Sequence, residues 1–84
     1  MRKLLLMSDL TGLQSRVKAI RAERGFVTDP VKLLVLMAEE MGELARGLKG
    51  TWSPNYPAPD SARLADELAD ITVLALAMAS ELGV

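Results

Sequence analysis

Eighty-four residues, 9.1 kDa in all, make a single domain over residues 1–84 with no room for a second. Half the chain is apolar and a quarter charged, which is globular composition; with only Phe26, Trp52 and Tyr56 aromatic, the core must be built from Leu, Ile, Val, Met and Ala. The absence of Cys and His excludes disulfides, thiolate metal sites and imidazole catalysis, and a net charge of −1 lacks the basic excess of a nucleic-acid-binding module.

The start, Met1-Arg-Lys-Leu-Leu-Leu-Met-Ser8, is charged, but its apolar run is too short for a signal peptide. No apolar run approaches the roughly 18 residues needed to span a bilayer. A cytoplasmic protein without a membrane or nucleic-acid polymer as partner is expected. Ser8 or Asp9 is placed to cap a first helix running to about Arg24 and stopped by Gly25. Leu10, Leu13, Val17 and Ile20 recur on one face of it. Asp29 followed by Pro30 reads as a cap with proline in the first turn, opening a second helix that continues to Leu48 or Lys49, before Gly50. Leu33, Leu34, Met37, Met41, Leu44 and Leu48 share one arc of that helix, with Glu40 at its margin.

The segment from Gly50 to Pro59 holds three of the four prolines and reads as a loop. Asp60 or Ser61 caps a third helix expected to end near Leu82, with Gly83 as terminator. Its core face is expected to be Leu64, Leu68, Ile71, Ala75, Met78 and Leu82. From Ile71 to Ala79 this helix is apolar almost all round, so it calls for cover on several sides. A chain this small is marginal alone. The expected architecture is therefore all-α: a three-helix bundle completed by self-association into a homodimer or homotetramer.

The second and third helices carry Glu39-Glu40-Met41-Gly42-Glu43 and Asp66-Glu67-Leu68-Ala69-Asp70, the same acid-acid-x-x-acid pattern 27 positions apart. Six of the eleven acids of the chain crowd into these two windows, and only Arg46 and Arg63 lie near enough to offset them. Residues three and four apart share a helix face, where like charges repel. Glu67 projects within an apolar arc, where an unpaired carboxylate is costly. Gly42 in mid-helix costs about 1 kcal/mol against Ala and points to the close approach of a neighbour or ligand. Spacing alone leaves two readings open, a solvated acidic face on each helix and a site for a hard divalent cation.

At these residues the chain resembles the MazG-like all-α nucleoside triphosphate pyrophosphohydrolases. Their signature, E-E-x-x-E followed by E-x-x-D, is matched by Glu39-Glu40-x-x-Glu43 and, after 23 residues, Glu67-x-x-Asp70. The flanks Leu36-x-Ala-Glu-Glu-Met-Gly-Glu-Leu44, Leu13-Gln14 and Glu23-Arg24-Gly25-Phe26 are similar too, so the resemblance covers residues 10 to 82. It implies Mg²⁺-dependent hydrolysis of a nucleoside triphosphate to monophosphate and pyrophosphate, with Mn²⁺ as a substitute ion. Glu40, Glu43, Glu67 and Asp70 are then the metal ligands. Glu39 and Glu40 serve the reaction, Glu39 by orienting a ligand or the attacking water.

Members of the family commonly continue after the third helix into a segment with Lys, Asn or Arg for the phosphates. Here the sequence ends at Val84, so Lys49, Arg46, Lys32 and Arg24, or bases of a neighbouring subunit, are the expected phosphate contacts. Trp52 is a candidate platform for the base, because base–aromatic stacking is worth about 1–3 kcal/mol; the plainer alternative is that Trp52 and Tyr56 plug the end of the bundle. Two other functions compete with hydrolysis: a MazG-like module that binds nucleotide or a protein partner without turnover, and a purely structural oligomerisation domain with a wet acidic face.

Overall fold

A computed structural model describes residues 2–84, with side chains from Asp9 onward. Three helices, α1 (Arg2–Glu23), α2 (Pro30–Leu48) and α3 (Ser61–Leu82), account for most of it, and no strand occurs among the described residues. No described helix is long and apolar enough to cross a membrane.

The helix ends follow local chemistry. Asp29 Oδ1 accepts from the backbone N–H groups of Val31 at 2.8 Å and Lys32 at 3.2 Å, satisfying donors that the first turn of α2 leaves open. Asp60 does the same for Ala62 and Arg63 at the start of α3. The stops of α1 and α3 are glycines in the left-handed region. Gly25, at φ 67°, lets Phe26 N–H reach back to the Arg21 carbonyl at 3.0 Å, and Gly83, at φ 73°, lets Val84 N–H reach Ala79 at 2.9 Å. The start of α1 differs from expectation: it begins at Arg2, ahead of Ser8 and Asp9. Leu4, Leu5, Leu6 and Met7 are good helix formers and nothing among them breaks a helix. The Ser8 side chain lies outside the described residues, and Asp9 sits exposed within the helix.

α3 is the middle element, packed on α2 along one side and on α1 along another. α2 and α3 run antiparallel. Gly47 near the end of α2 faces Leu64 near the start of α3, while Leu33 near the start of α2 joins Leu74 and Ala77. Gly47 has no room to spare, since a Cβ there would lie 3.1 Å from Leu64 Cδ2. Val17 of α1 completes a small core with Leu33, Leu74 and Ala77, which Met37, Leu76 and Met78 flank.

The buried lines are narrower than the apolar arcs. Among the described side chains of α1 only Val17 is buried, and Leu10, Leu13 and Ile20 are exposed. On α3 the buried line runs through Glu67, Leu74 and Ala77, about a quarter turn from the one expected, and Leu68, Ala75 and Leu82 face outward. A helix apolar almost all round carries no marker of which side its partners take, and α3 has two partners. On α2, Leu33, Met37 and Leu44 turn inward, while Leu34, Met41 and Leu48 do not.

The connection from α2 to α3 is a built loop. A 3₁₀ turn, Lys49–Thr51, continues α2 past Leu48. The Thr51 hydroxyl donates to the Leu48 carbonyl at 2.8 Å, and Ser53 N–H to the Lys49 carbonyl at 2.9 Å. The chain then folds back so closely that a Cβ on Gly50 would collide with the backbone of Pro57 and Ala58.

Candidate metal centre

The antiparallel pairing of α2 and α3 brings their acid windows together. Glu40 and Asp70 flank Glu67, and one carboxylate oxygen from each lies within 4.8 Å of the other two. Glu67 is 8% exposed, the one charged residue buried among the described residues, and its Oε2 has no hydrogen-bond partner. Proton sharing with Glu40, then burial, hold the Glu67 carboxyl above the ordinary glutamate value. Glu43 reaches the same place from one turn on; proton sharing with Glu67 and the Glu67 charge raise its carboxyl too, with Arg63 opposing.

This is an unfavourable arrangement for the bare chain. A carboxylate oxygen withdrawn from water, with other carboxylates as neighbours, lacks the donor that buried acceptors nearly always have. A hard cation supplies what is missing. Oxygens no more than 4.8 Å apart can share one ion, since opposing oxygen ligands of Mg²⁺ or Ca²⁺ stand about 4–5 Å apart. The donor set, carboxylates without nitrogen or sulfur, suits such ions. The residues present therefore fit a hard divalent cation at Glu40, Glu67 and Asp70.

The remaining expected residues are placed less closely. Glu43 belongs to the neighbourhood through Glu67 and lies outside the tight group of three. Glu39 and Asp66 are exposed and outside that group. Arg24 is exposed in the turn that ends α1, and Lys32 is exposed in the first turn of α2. Arg46, Lys49 and Trp52 line a cleft of about 440 Å³ with Gly42, Ala45 and Tyr56. At 3.6 residues per turn, Gly42, Ala45 and Lys49 lie on the side of α2 away from Glu40, so within one chain this cleft and the acids face apart. Trp52 is 74% exposed and does not plug the bundle. Tyr56 is half-buried. Its hydroxyl accepts from Lys49 Nζ at 3.1 Å, and that hydrogen bond and the Lys49 charge hold the phenol below its ordinary value.

Two residues that patterning did not single out stand beside the acids. A cavity of about 300 Å³ has Glu40 and Asp70 on one wall and Arg21 and Phe26 on another, over Leu36, Val73 and Leu74. The Arg21 guanidinium lies 5.2 Å from the centre of the Phe26 ring and donates through Nη2 to the Val27 carbonyl at 3.1 Å. Among the described residues these are the guanidinium's only interactions, so most of its donor fork is unused there. The available signal was Gly25, whose left-handed turn returns Phe26 over the last turn of α1. No family model, curated protein or solved structure matches the chain.

Proposed function

We propose that the chain hydrolyses nucleoside triphosphates to monophosphate and pyrophosphate with the help of a hard divalent cation, as the resemblance to MazG-like pyrophosphohydrolases implies. The observation that carries the reading is Glu67: a buried carboxylate with an orphaned oxygen, set between Glu40 and Asp70. A solvated acidic face explains exposed acids and leaves this one unexplained.

In this reading Glu40, Glu67 and Asp70 hold Mg²⁺, for which Mn²⁺ can substitute. Such an ion supplies charge neutralisation at phosphoryl oxygens and acidifies water. The chain's own groups do the rest. Arg21 offers its unused N–H groups to phosphate oxygens, held in aim by the Phe26 ring and the Val27 carbonyl. Leu36, Val73 and Leu74 keep that wall of the cavity apolar. Glu43, one turn along α2 from Glu40 and beside Glu67, is the carboxylate left outside the group of three and takes the proton of the attacking water on its oxygen. Phosphoryl transfer needs positioning and charge stabilisation more than covalent chemistry, which suits a chain without Cys or His. The working form is a homo-oligomer.

The test is pyrophosphate release from a panel of nucleoside and deoxynucleoside triphosphates, with Mg²⁺ and with EDTA, for wild type, Glu40→Gln and Asp70→Asn. Release that needs the metal and disappears in both variants is expected. Full activity in both variants would refute the assignment. Stabilisation by nucleotide and Mg²⁺ without product would leave a module that binds and does not turn over.

A further inference from the structure

α2 carries two apolar faces and the fold uses one. Leu33, Met37 and Leu44 turn toward α3, whereas Leu34, Val35, Ala38, Met41, Ala45 and Leu48 form an uninterrupted strip on another side, all exposed. Gly42 lies midway along that strip, and among the described residues nothing beyond its own stretch of helix comes within 4 Å of where its Cβ would be. Single apolar residues are exposed on α1 and α3 as well, but α2 carries a continuous unpartnered strip, and the small residue in its middle has no described neighbour beyond its own stretch of helix.

The exposed area says how much cover is missing. The chain leaves 6475 Å² accessible, against about 4,900 Å² for a compact chain of this mass. Its radius of gyration is 15.3 Å, against about 12 Å for a compact chain of this length. A standard interface removes about 800 Å² from each partner, so the excess is ample for one.

We propose that this strip is the contact between two copies of the chain, with α2 packed antiparallel on α2 of the second copy across a two-fold axis near Gly42. The strip has the symmetry such a contact requires, because an isologous interface must complement itself. Its middle is small, at Ala38, Gly42 and Ala45, and its ends are large, at Leu34 and Val35 on one side and Leu48 on the other. A two-fold axis sets Ala38 against Ala45 of the partner subunit and Leu34 against Leu48 of the partner subunit. Backbones can then approach at Gly42, where a glycine otherwise weakens the helix.

Charge selects the antiparallel arrangement. Glu39 and Arg46 border the strip on the same edge, three residues before and four after Gly42. Antiparallel pairing keeps this edge on one side of the seam in both copies and brings each Glu39 to the partner's Arg46. A parallel pairing would put the two copies of the edge on opposite sides and leave Glu39 and Arg46 without each other across the contact. The cleft beside Gly42, Ala45, Lys49 and Trp52 is then the groove that the second helix enters, and Trp52 lies at the end of the contact. This inference sharpens the homo-oligomer reading and uses a side of α2 away from the metal centre, so either can fail without the other.

Sedimentation equilibrium on the wild type, Leu34→Glu, Met41→Glu and the control Leu68→Glu tests it, because all three leucine and methionine positions are about half exposed in one chain. The wild type and Leu68→Glu are expected at twice 9.1 kDa or a multiple of that pair. Leu34→Glu and Met41→Glu are expected to lose this association while keeping the helical circular dichroism of the wild type. The chain has no cysteine, so Gly42→Cys supplies a single thiol beside the two-fold axis, within the roughly 4.4–6.8 Å Cα separation a disulfide spans. It is expected to form a covalent dimer on mild oxidation, whereas Ala65→Cys on α3 stays monomeric on a denaturing gel. A monomeric wild type, a dimer that survives both glutamate substitutions, or no cross-link at position 42 would each overturn the proposal. So would a monomer whose Trp52 emission is quenched by nucleotide, which would make the cleft a ligand site. Should the glutamate variants fail to fold, the cysteine pair decides.

Discussion

Replacing Glu67 by Gln separates a metal ligand from a core residue. The amide keeps the size of the side chain and removes the charge from a buried position whose Oε2 has no partner. Metal-free, the variant is expected to be at least as stable as wild type, because it no longer withdraws a carboxylate from water beside Glu40 and Glu43. With metal the order reverses. The structure holds one cluster of three carboxylates among its described residues, so one-site linkage applies. Mg²⁺ at ten times its dissociation constant then stabilises the wild type by about 1.4 kcal/mol. For a chain of this length that raises Tm by roughly 6–11 °C. Thermal unfolding followed by circular dichroism, with Mg²⁺ titrated against EDTA at fixed protein concentration, reads both effects. A metal-dependent rise in wild type and none in Glu67→Gln is the expected pattern. An equal rise in both, or a variant that melts well below the metal-free wild type, would show that Glu67 is neither ligand nor strained and would sink the argument.

The same carboxyls set the pH dependence. Glu67 and Glu43 titrate higher in the folded chain than the ordinary glutamate value of 4.5, so the folded state binds the extra protons just above that value. Metal-free stability therefore falls as pH rises through that window and levels off above the folded values; Glu67→Gln should flatten this limb in urea melts across pH. Leu33 is fully buried, and Leu33→Ala should cost about 2–5 kcal/mol in denaturant unfolding. Gly50→Ala, pressed on the Pro57 backbone, should cost roughly 1–3 kcal/mol in the same assay. Arg21→Gln removes charge-assisted hydrogen bonds worth about 1.5–3 kcal/mol each, so kcat/KM for pyrophosphate release should fall roughly 10–150-fold with helicity unchanged. Tyr56 is the sole tyrosine, and its ultraviolet titration should lie below 10.0 in wild type and move up in Lys49→Met.

Sequence patterning read the helix boundaries where a single side chain or glycine decides them. Asp29, Asp60, Gly25 and Gly83 act within a few residues of themselves, and the structure uses all four as expected. The inward position of Glu67 was legible too, because it interrupts an apolar arc that continues through Leu74. Periodicity was a poorer guide where a helix is apolar on more than one side. It marked Leu34 and Met41 as core with Leu33, since an arc shows what can be buried and says nothing about how many partners there are to bury it. The line of Leu68 and Leu82 failed on α3 for the same reason. Arg21 was out of reach of spacing arguments altogether, because its place beside Glu40 and Asp70 depends on how α1 crosses α3 and on the turn at Gly25.

The loop between α2 and α3 acts as a gauge. Surface connections ordinarily accept an inserted residue at little cost. Here Gly50 seated on Pro57, together with the Lys49–Tyr56 hydrogen bond, fixes how far the chain travels before α3 begins. That distance sets the stagger of the two helices, and the stagger decides which acid of α2 stands opposite Glu67. A slip of one helical turn would exchange Glu40 for Glu43 or Leu36 at that station. Composition of the acid windows would be unchanged, yet the three oxygens would no longer converge. Lengthening this loop is thus a change to the metal centre made at a distance from it, and variation among chains of this kind should fall less on its length than on its exposed side chains.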